Sequence, residues 1–271
     1  MTDIKLEPGE SFDFSLYQRN QKLFSQGVTE KHLKTGTTIA AAIYKDGVIL
    51  GADTRATAGP VVQVKDEMKL HYVTDNIFAA GAGTAADCDE ITRLISSQLQ
   101  LYKLNTGIQP RIDQAARLFS KRLFNYGGHI QAYLLVAGVD FTGPSIYSIY
   151  ADGAAGHSPF AAEGSGSLAA ISVLESKWKV GMNEEECKDL IADAILAGIT
   201  NDLGSGSNIN LCVITKDKYT FFKNYRVTNQ RNFSYQQPIN IGEAQVLKET
   251  TKPLSVPEVH LEIFDGQIED I

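Results

Sequence analysis

The sequence has 271 residues, of which 43% are hydrophobic and 21% charged, with a formal net charge of −7 at pH 7. This composition is typical of a globular domain with a full core, and the negative charge argues against nucleic acid as a partner. No apolar run approaches the roughly 20 residues of a membrane-spanning helix, and the start of the chain lacks the pattern of a secretory signal. Three cysteines in no metal-ligand spacing favour an intracellular setting and no metal site.

Residues 1–36 form a polar leader without periodicity, rich in Gln, Asn, Ser, Lys and Glu. The pattern changes abruptly at the bond between Gly36 and Thr37. Strands are predicted over 38–44 and 48–53, joined by a hairpin turn at Asp46-Gly47. The first predicted strand therefore begins directly after that bond.

Apolar periodicity and turn residues predict the remaining elements. Strands are expected near 61–64, 70–73 and 76–80, then helices over 84–103 and 110–125, and strands at 131–139, 145–151 and 158–162. Helices over 166–180 and 183–202 and strands at 209–215 and 219–223 follow, and residues 226–271 form a long tail with few patterns. Because strands and helices come in runs, we predict an α+β fold of two antiparallel sheets covered by two helix pairs.

Cutting the Gly36–Thr37 bond would give one residue both a hydroxyl and a free α-amino group. An amine with a pKa near ~7.7–8.0 is a ready general base for a hydroxyl nucleophile. We expect glycine at this position to leave room for a strained backbone at the bond. The alternative is that the leader is an ordinary N-terminal extension.

A hydroxyl nucleophile needs supporting charge and an oxyanion site. Asp53 ends the second predicted strand and Lys69 begins another, so the two are candidates for a charged pair that lowers the pKa of neighbouring groups. A purely structural ion pair is the alternative, and Arg55 is an equally suitable partner for Asp53. Gly83 precedes a predicted helix N-cap at Thr84, where its backbone N–H is a candidate oxyanion donor.

Two Gly-Ser-Gly motifs flank the last two predicted helices. Ser165 opens one helix, and Asp202 and Ser205 follow the other; all three are able to hydrogen-bond a terminal amine, although such loops are usually connectors. The stretches from Gly81 and from Gly164 also fit G-x-G-x-x-A. A dinucleotide site needs a parallel βαβ unit and a later acid, and after Gly81 neither is predicted.

Together and in this order, the motifs resemble those of the catalytic β subunits of the eukaryotic 20S proteasome, and most of all its trypsin-like members. The likeness covers residues 37–225 and the tail. It rests on Gly36-Thr37-Thr38, Gly51-Ala52-Asp53-Thr54-Arg55, Lys69-Leu70-His71, Gly81-Ala82-Gly83-Thr84-Ala85-Ala86-Asp87, Gly164-Ser165-Gly166-Ser167 and Asn201-Asp202-Leu203-Gly204-Ser205-Gly206.

The resemblance implies a four-layer αββα sandwich, the N-terminal nucleophile hydrolase fold, and a threonine protease that cleaves after basic residues in ubiquitin-dependent degradation. It implies autocatalytic loss of the leader, with Thr37 as nucleophile and its own α-amine as base. It also implies that Lys69 and Asp53 support Thr37, that the Gly83 amide holds the oxyanion, and that Ser165, Asp202 and Ser205 order the new terminus.

The resemblance further assigns a substrate pocket to Ala56, Glu67, His71, Gly81, Ala85 and Asp89. Gly81 leaves this pocket deep, while Glu67 and Asp89 give it the negative charge that suits Lys or Arg. Relatives carry glutamate at the position of Asp89 and often cysteine at that of Glu67.

For the partners, the resemblance implies α and β subunits in four stacked heptameric rings, a tail that wraps a neighbouring β subunit, and unfolded polypeptide as substrate. It implies no cofactor, no metal, no nucleic acid and no membrane, and a location in cytoplasm and nucleus. Two alternatives stay open: a non-catalytic β subunit that keeps its leader, and a nucleotide-binding enzyme.

Overall fold

The computed structural model of the chain describes residues 15–26, 35–216, 218–228 and 248–253. By internal contacts the chain divides into two compact units, residues 1–230 and residues 231–271. In the second unit, residues 248–253 are exposed and lie in no helix or strand. Most of the predicted tail therefore lies outside the described residues. Among the helices of the described ranges, none is long and apolar enough to cross a bilayer.

The first unit contains seventeen elements within its described residues. In chain order they are α1 (Ser15–Ser25), β1 (Ile39–Tyr44), β2 (Gly47–Asp53), β3 (Ala56–Ala58), β4 (Val61–Val64), β5 (Leu70–Thr74), β6 (Ile77–Gly83), α2 (Ala85–Thr106), α3 (Ile112–Asn125), β7 (Ala132–Asp140), β8 (Gly143–Ile149), β9 (Ala155–His157), β10 (Phe160–Glu163), α4 (Ser167–Lys177), α5 (Glu184–Asn201), β11 (Asn208–Thr215) and β12 (Tyr219–Val227).

Two five-stranded antiparallel sheets form the centre of the fold. Their strand orders are β10-β1-β2-β11-β12 and β5-β6-β7-β8-β9, and β3 pairs with β4 in a separate hairpin. Side chains alternate between the two faces of each strand. In β1, Ile39 and Ala41 pack between the sheets, whereas Ala40 and Ala42 pack towards α4 and α5.

The other two long helices, α2 and α3, cover the outer face of the second sheet, so the layers run helix, sheet, sheet, helix. The α+β prediction, with its αββα layering, is confirmed.

Three short or polar elements were not expected from the sequence. The leader contains the helix α1, and β3 and β9 have only three residues each. Leu, Gln, Lys and Arg in α1 favour a helix by propensity. A three-residue strand is too short for an alternating pattern to be visible.

The topology also removes the nucleotide-binding alternative. The glycines after Gly81 lead from β6 into α2, and the next element is another helix, α3. All strand pairs of the described residues are antiparallel, so the parallel βαβ unit of a dinucleotide site is absent from them.

Antiparallel pairing places the predicted site residues at one end of the first sheet. Ile39, at the start of β1, is paired with Ala52 near the end of β2 and with Glu163 at the end of β10. The end of β2, at Asp53, is paired with Ile209 near the start of β11. Residues just outside these strand ends therefore converge on Thr37.

Removal of a large side chain tests the packing of the helix α3. Phe119 is fully buried between α3 and the second sheet, whereas Phe124 on the same helix is 70% exposed. We expect Phe119→Ala to lower the free energy of unfolding by about 3–5 kcal/mol, because it leaves a cavity. In denaturant titration, Phe124→Ala should cost far less; equal losses for the two variants would contradict this packing.

Candidate active site

Asp53 is a fully buried carboxylate at the end of β2, and its charge is met by Lys69. The Nζ of Lys69 lies 2.7 Å from Asp53 Oδ1. Arg55 is not the ionic partner, since its guanidinium donates to the carbonyl of Leu203 at 3.1 Å. The choice left open by the sequence is therefore settled in favour of lysine.

Backbone amides complete the hydrogen bonding of this carboxylate. Oδ1 of Asp53 also accepts from Thr38 N at 2.9 Å, and Oδ2 accepts from Arg55 N at 3.2 Å and from Gly206 N at 3.0 Å. A buried charge with a cation and three amide donors is held in one orientation.

Lys69 uses all three of its donors in the site. Besides Asp53, its Nζ donates to Thr37 Oγ1 at 3.1 Å and to the carbonyl oxygen of Gly36 at 3.3 Å. The hydroxyl of Thr37 in turn donates to that same carbonyl at 2.7 Å. The buried lysine therefore contacts both the hydroxyl and the carbonyl of the Gly36–Thr37 bond.

This arrangement has two chemical consequences. A cation at Thr37 Oγ1 stabilises the alkoxide more than the alcohol, which favours loss of the hydroxyl proton. Two donors on the Gly36 carbonyl polarise it and make its carbon more electrophilic. Because the bond is intact, the nitrogen of Thr37 is an amide, and an amide has no lone pair available to act as a base.

Ser165, Asp202 and Ser205 form a hydrogen-bonded cluster beside Thr37. Oδ2 of Asp202 accepts from Ser165 Oγ and Ser205 Oγ, both at 2.6 Å. Ser165 Oγ accepts from Thr37 N at 3.0 Å. The three predicted residues lie together, next to the nitrogen that cleavage would convert into an amine.

The pKa of Asp202 is lower than the ordinary value. Burial is the largest single influence and acts to raise this pKa, but the hydrogen bonds from Ser165 and Ser205 and the two smaller influences together outweigh it. The amide of Gly204 and the charge of Lys69 act in the same direction as the serines. The carboxylate is therefore ionised at neutral pH and accepts from both hydroxyls.

Gly83 ends β6 beside the site and has a φ of 112°, a conformation that favours glycine. A Cβ there would also lie 2.2 Å from the carbonyl oxygen of Gln131. Thr84 is the N-cap of α2, although its side chain makes no capping hydrogen bond. The carbonyl of Gly83 accepts from the Thr35 hydroxyl at 2.9 Å, so the end of the leader contacts this glycine.

A cleft lies next to the Gly36–Thr37 bond. All six predicted pocket residues line it, namely Ala56, Glu67, His71, Gly81, Ala85 and Asp89. A Cβ on Gly81 would lie 2.9 Å from Cys88 Cβ, so glycine leaves the space that a side chain would fill.

His71 connects the wall of the cleft to one of its acids. Its Nδ1 lies 3.2 Å from Asp89 Oδ1, and the Asp89 side chain is 66% exposed. Burial lowers the pKa of His71, while Asp89 and Glu67 act to raise it. Because its pKa is lowered, His71 adds no positive charge beside the two acids at neutral pH.

The reason expected for a glycine at position 36 is wrong. Gly36 is not among the described glycines with positive φ, so it adopts no conformation that other residues avoid. Space is the constraint instead, because a Cβ on Gly36 would lie 2.1 Å from Gly204 Cα. A packing contact of this kind cannot be read from either glycine alone.

Several contributing residues were not singled out from the sequence. Thr57 Oγ1 accepts from Gly36 N at 3.2 Å, and Thr38 Oγ1 lies 2.7 Å from Ser205 Oγ. Met68 and Cys88 line the cleft. Of these residues, only Thr38 could have been suspected from the sequence, because it is next to Thr37.

Two facing antiparallel sheets between helical layers, with a buried threonine hydroxyl at the start of the first strand, define the N-terminal nucleophile hydrolase class. The family model described as Proteasome subunit matches residues 33–214. The chain belongs to the proteasome subunit family, and its relatives are β subunits. As a member, it assembles with other proteasome subunits in the 20S core.

Three relatives illustrate the extent of this similarity. The chain is 48% identical to Proteasome subunit beta type-7 of Dictyostelium discoideum, over 94% of this chain and 97% of the relative. It is 46% identical to Proteasome subunit beta type-2 of Saccharomyces cerevisiae, over 89% and 93%. It is 42% identical to Proteasome subunit beta type-10 of Bos taurus, over 94% and 95%. The resemblance drawn from the motifs is confirmed at the level of the family.

Replacing Asp202 tests the serine–aspartate cluster. The stabilisation from ionised Asp202 is fully present above its ordinary pKa of 3.8 and is lost as the pH falls through the lower pKa of the folded chain. Asp202→Asn should therefore cost about 1.5–3 kcal/mol at neutral pH, the contribution of hydrogen bonds to a charged group.

The difference from wild type should narrow as the pH falls below 3.8, and urea titrations between about pH 7 and about pH 3 measure it. Asp46→Asn, at the exposed turn between β1 and β2, is the matched control and should stay within about 0.5 kcal/mol of wild type. A constant difference for Asp202→Asn at all pH values would contradict the ionised cluster.

Proposed function

We propose that this chain is a threonine-type endopeptidase subunit of the proteasome core that cleaves polypeptides after basic residues in ubiquitin-dependent protein degradation. The observation that carries the proposal is the position of Lys69 Nζ, which contacts Asp53, the Thr37 hydroxyl and the Gly36 carbonyl. A hydroxyl nucleophile is activated by a base or by a group that favours its ionised form, and the buried Lys69 cation beside Thr37 Oγ1 does the second.

Activation of the enzyme is proposed to be self-cleavage that removes residues 1–36. Thr37 Oγ attacks the carbonyl carbon of Gly36, the C–N bond breaks, and the hydroxyl proton passes to the leaving nitrogen. The product is an ester between Gly36 and Thr37 Oγ, which water hydrolyses to a Gly36 carboxylate and a free hydroxyl. The new α-amine then supplies the base that the intact bond withholds.

In the processed enzyme, Thr37 Oγ attacks the substrate carbonyl while the α-amine, acting through water, accepts the proton. Lys69, held by Asp53, favours the alkoxide, and the Gly83 amide stabilises the oxyanion. The hydrogen bond between Thr37 N and Ser165 Oγ supports an ordering role for the Ser165–Asp202–Ser205 cluster, because it involves the future amine.

The cleft beside Thr37 is proposed to bind the residue before the cut. Gly81 keeps it deep, and Glu67 and Asp89 give it negative charge that complements Lys or Arg. Asp89 has a shorter side chain than glutamate, and its contact with His71 limits its reach into the cleft.

The remaining expectations concern assembly. Residues 37–225 are proposed as the catalytic domain, and the tail, residues 226–271, as a strap around a neighbouring β subunit in a barrel of four heptameric rings. The particle is proposed to act in cytoplasm and nucleus on unfolded polypeptide. A β subunit without activity would keep its leader, so N-terminal sequencing of the assembled protein separates the two functions. An N-terminus at Met1 in the assembled protein would refute the protease proposal.

Thr37→Ala removes the hydroxyl on which both proposed reactions depend. We expect the assembled particle to retain residues 1–36 on this subunit and to lose cleavage after basic residues at this site, by at least about 1000-fold. Mass spectrometry of the subunit and hydrolysis of a peptide with Arg before the cut measure the two effects. Thr106→Ala, at the exposed end of α2, is the control and should process normally.

The negative cleft predicts a specificity change. Glu67→Gln together with Asp89→Asn should lower kcat/KM for a peptide with Arg before the cut about tenfold relative to one with Leu, a difference of about 1.4 kcal/mol. Glu90→Gln changes an acid that is not among the cleft-lining residues and should leave the ratio unaltered. An unchanged ratio in the double variant would exclude these two acids as specificity determinants.

A further inference from the structure

We propose that Gly204 is a positioning residue for the self-cleavage step, holding the Gly36–Thr37 bond against Lys69 by direct backbone packing on Gly36. The inference rests on the proposed self-cleavage and assigns to Gly204 a role in activation, separate from the peptidase reaction that follows. The evidence comes from both sides of one contact between two glycines.

From the side of the leader, Gly36 has no room for a side chain. A Cβ built on it would lie 2.1 Å from Cα, 2.3 Å from C and 2.6 Å from O of Gly204. These are backbone atoms, which cannot swing aside as the end of a flexible side chain does. Any residue other than glycine at position 36 would therefore push the bond and the 202–206 turn apart.

The opposite side of the contact gives the same result. A Cβ on Gly204 would lie 2.5 Å from Gly36 Cα and 3.2 Å from Gly36 N, and the next atom is Asp202 Oδ1 at 3.5 Å. The last distance is an ordinary van der Waals contact. Once Gly36 has left, the site therefore has room for alanine at position 204, so the restriction belongs to the uncleaved chain.

The turn that carries Gly204 is fixed at several points. Gly204 N donates to Asp202 Oδ1 at 3.1 Å, Ser205 N donates to the Asp202 carbonyl at 3.3 Å, and Gly206 N donates to Asp53 Oδ2 at 3.0 Å. The last bond joins the turn to the carboxylate that holds Lys69. Gly204 thus belongs to the same rigid unit as the cation that acts on the bond.

The contact completes a set of restraints on Gly36. Its N–H donates to Thr57 Oγ1, and its carbonyl accepts from Lys69 and from the Thr37 hydroxyl. Gly204 packs against the Cα of Gly36, so Gly36 cannot shift towards the 202–206 turn. Reactions that depend on near-attack geometry lose about 100-fold in rate when the reacting groups move by about 1 Å.

The experiment compares Gly204→Ala with Gly156→Ala in assembled particles in which this chain is the sole source of the subunit. Gly156 also has no positive φ, and a Cβ there meets nothing within 4 Å. We expect the release of residues 1–36 to slow about 100-fold in Gly204→Ala and to stay at the wild-type rate in Gly156→Ala. Pulse labelling and mass spectrometry measure the rate of this release. Release from Gly204→Ala within threefold of the wild-type rate would overturn the proposal.

A second arm separates positioning from a general structural effect. Here the chain from Thr37 onwards is fused behind ubiquitin. Removal of ubiquitin leaves Thr37 as the N-terminal residue, so no self-cleavage is required. The loss of kcat/KM caused by Gly204→Ala should then be at least tenfold smaller than its effect on leader release. Equal losses in both arms would contradict the inference and leave the proposed function intact.

Gly36→Ala provides the same test with the turn unaltered, should Gly204→Ala fail to assemble. We expect it to retain the leader to the same extent, and release at the wild-type rate would overturn the inference. A wild-type chain that keeps its leader would refute the proposed self-cleavage itself, and the role of Gly204 with it. The two failures are therefore distinguishable.

Discussion

The burial of the Asp53 carboxylate governs the arrangement of the whole site. A charge removed from water must be matched by a cation and by hydrogen bonds, and removal of one partner from such a pair typically costs about 3–5 kcal/mol. Lys69 supplies the charge, and the amides of Thr38, Arg55 and Gly206 supply the donors. Because these donors come from three chain segments, satisfying one carboxylate brings the start of β1, the end of β2 and the turn before β11 together.

The same carboxylate connects structure to activation. It orients Lys69, whose other two donors reach the Thr37 hydroxyl and the Gly36 carbonyl. It also anchors Gly206, two residues after the glycine that packs on Gly36. In the proposed function, one buried charge both activates the nucleophile and fixes the wall against which the bond to be cut is held.

Much of this site could be predicted from motifs, and the reason is local chemistry. A threonine after glycine at the start of a strand, an aspartate at the end of the next strand and a lysine before another are visible without a structure. Hairpin pairing of β1 with β2 already places Asp53 near Thr37, because an antiparallel partner returns to its origin. The choice between Lys69 and Arg55 was not visible, since both are cations at suitable separations along the chain.

The sequence by itself determined the α+β layering, the four long helices and ten of the twelve strands of the described residues, because apolar periodicity and turn residues are local signals. It also determined the residue types of the site. Only the tertiary structure decided that Asp53 pairs with Lys69, that Asp202 receives both serines, and that Gly36 is glycine for space and not for backbone freedom. Each of these depends on atoms that are far apart in the chain, and the distances between such atoms are set by packing.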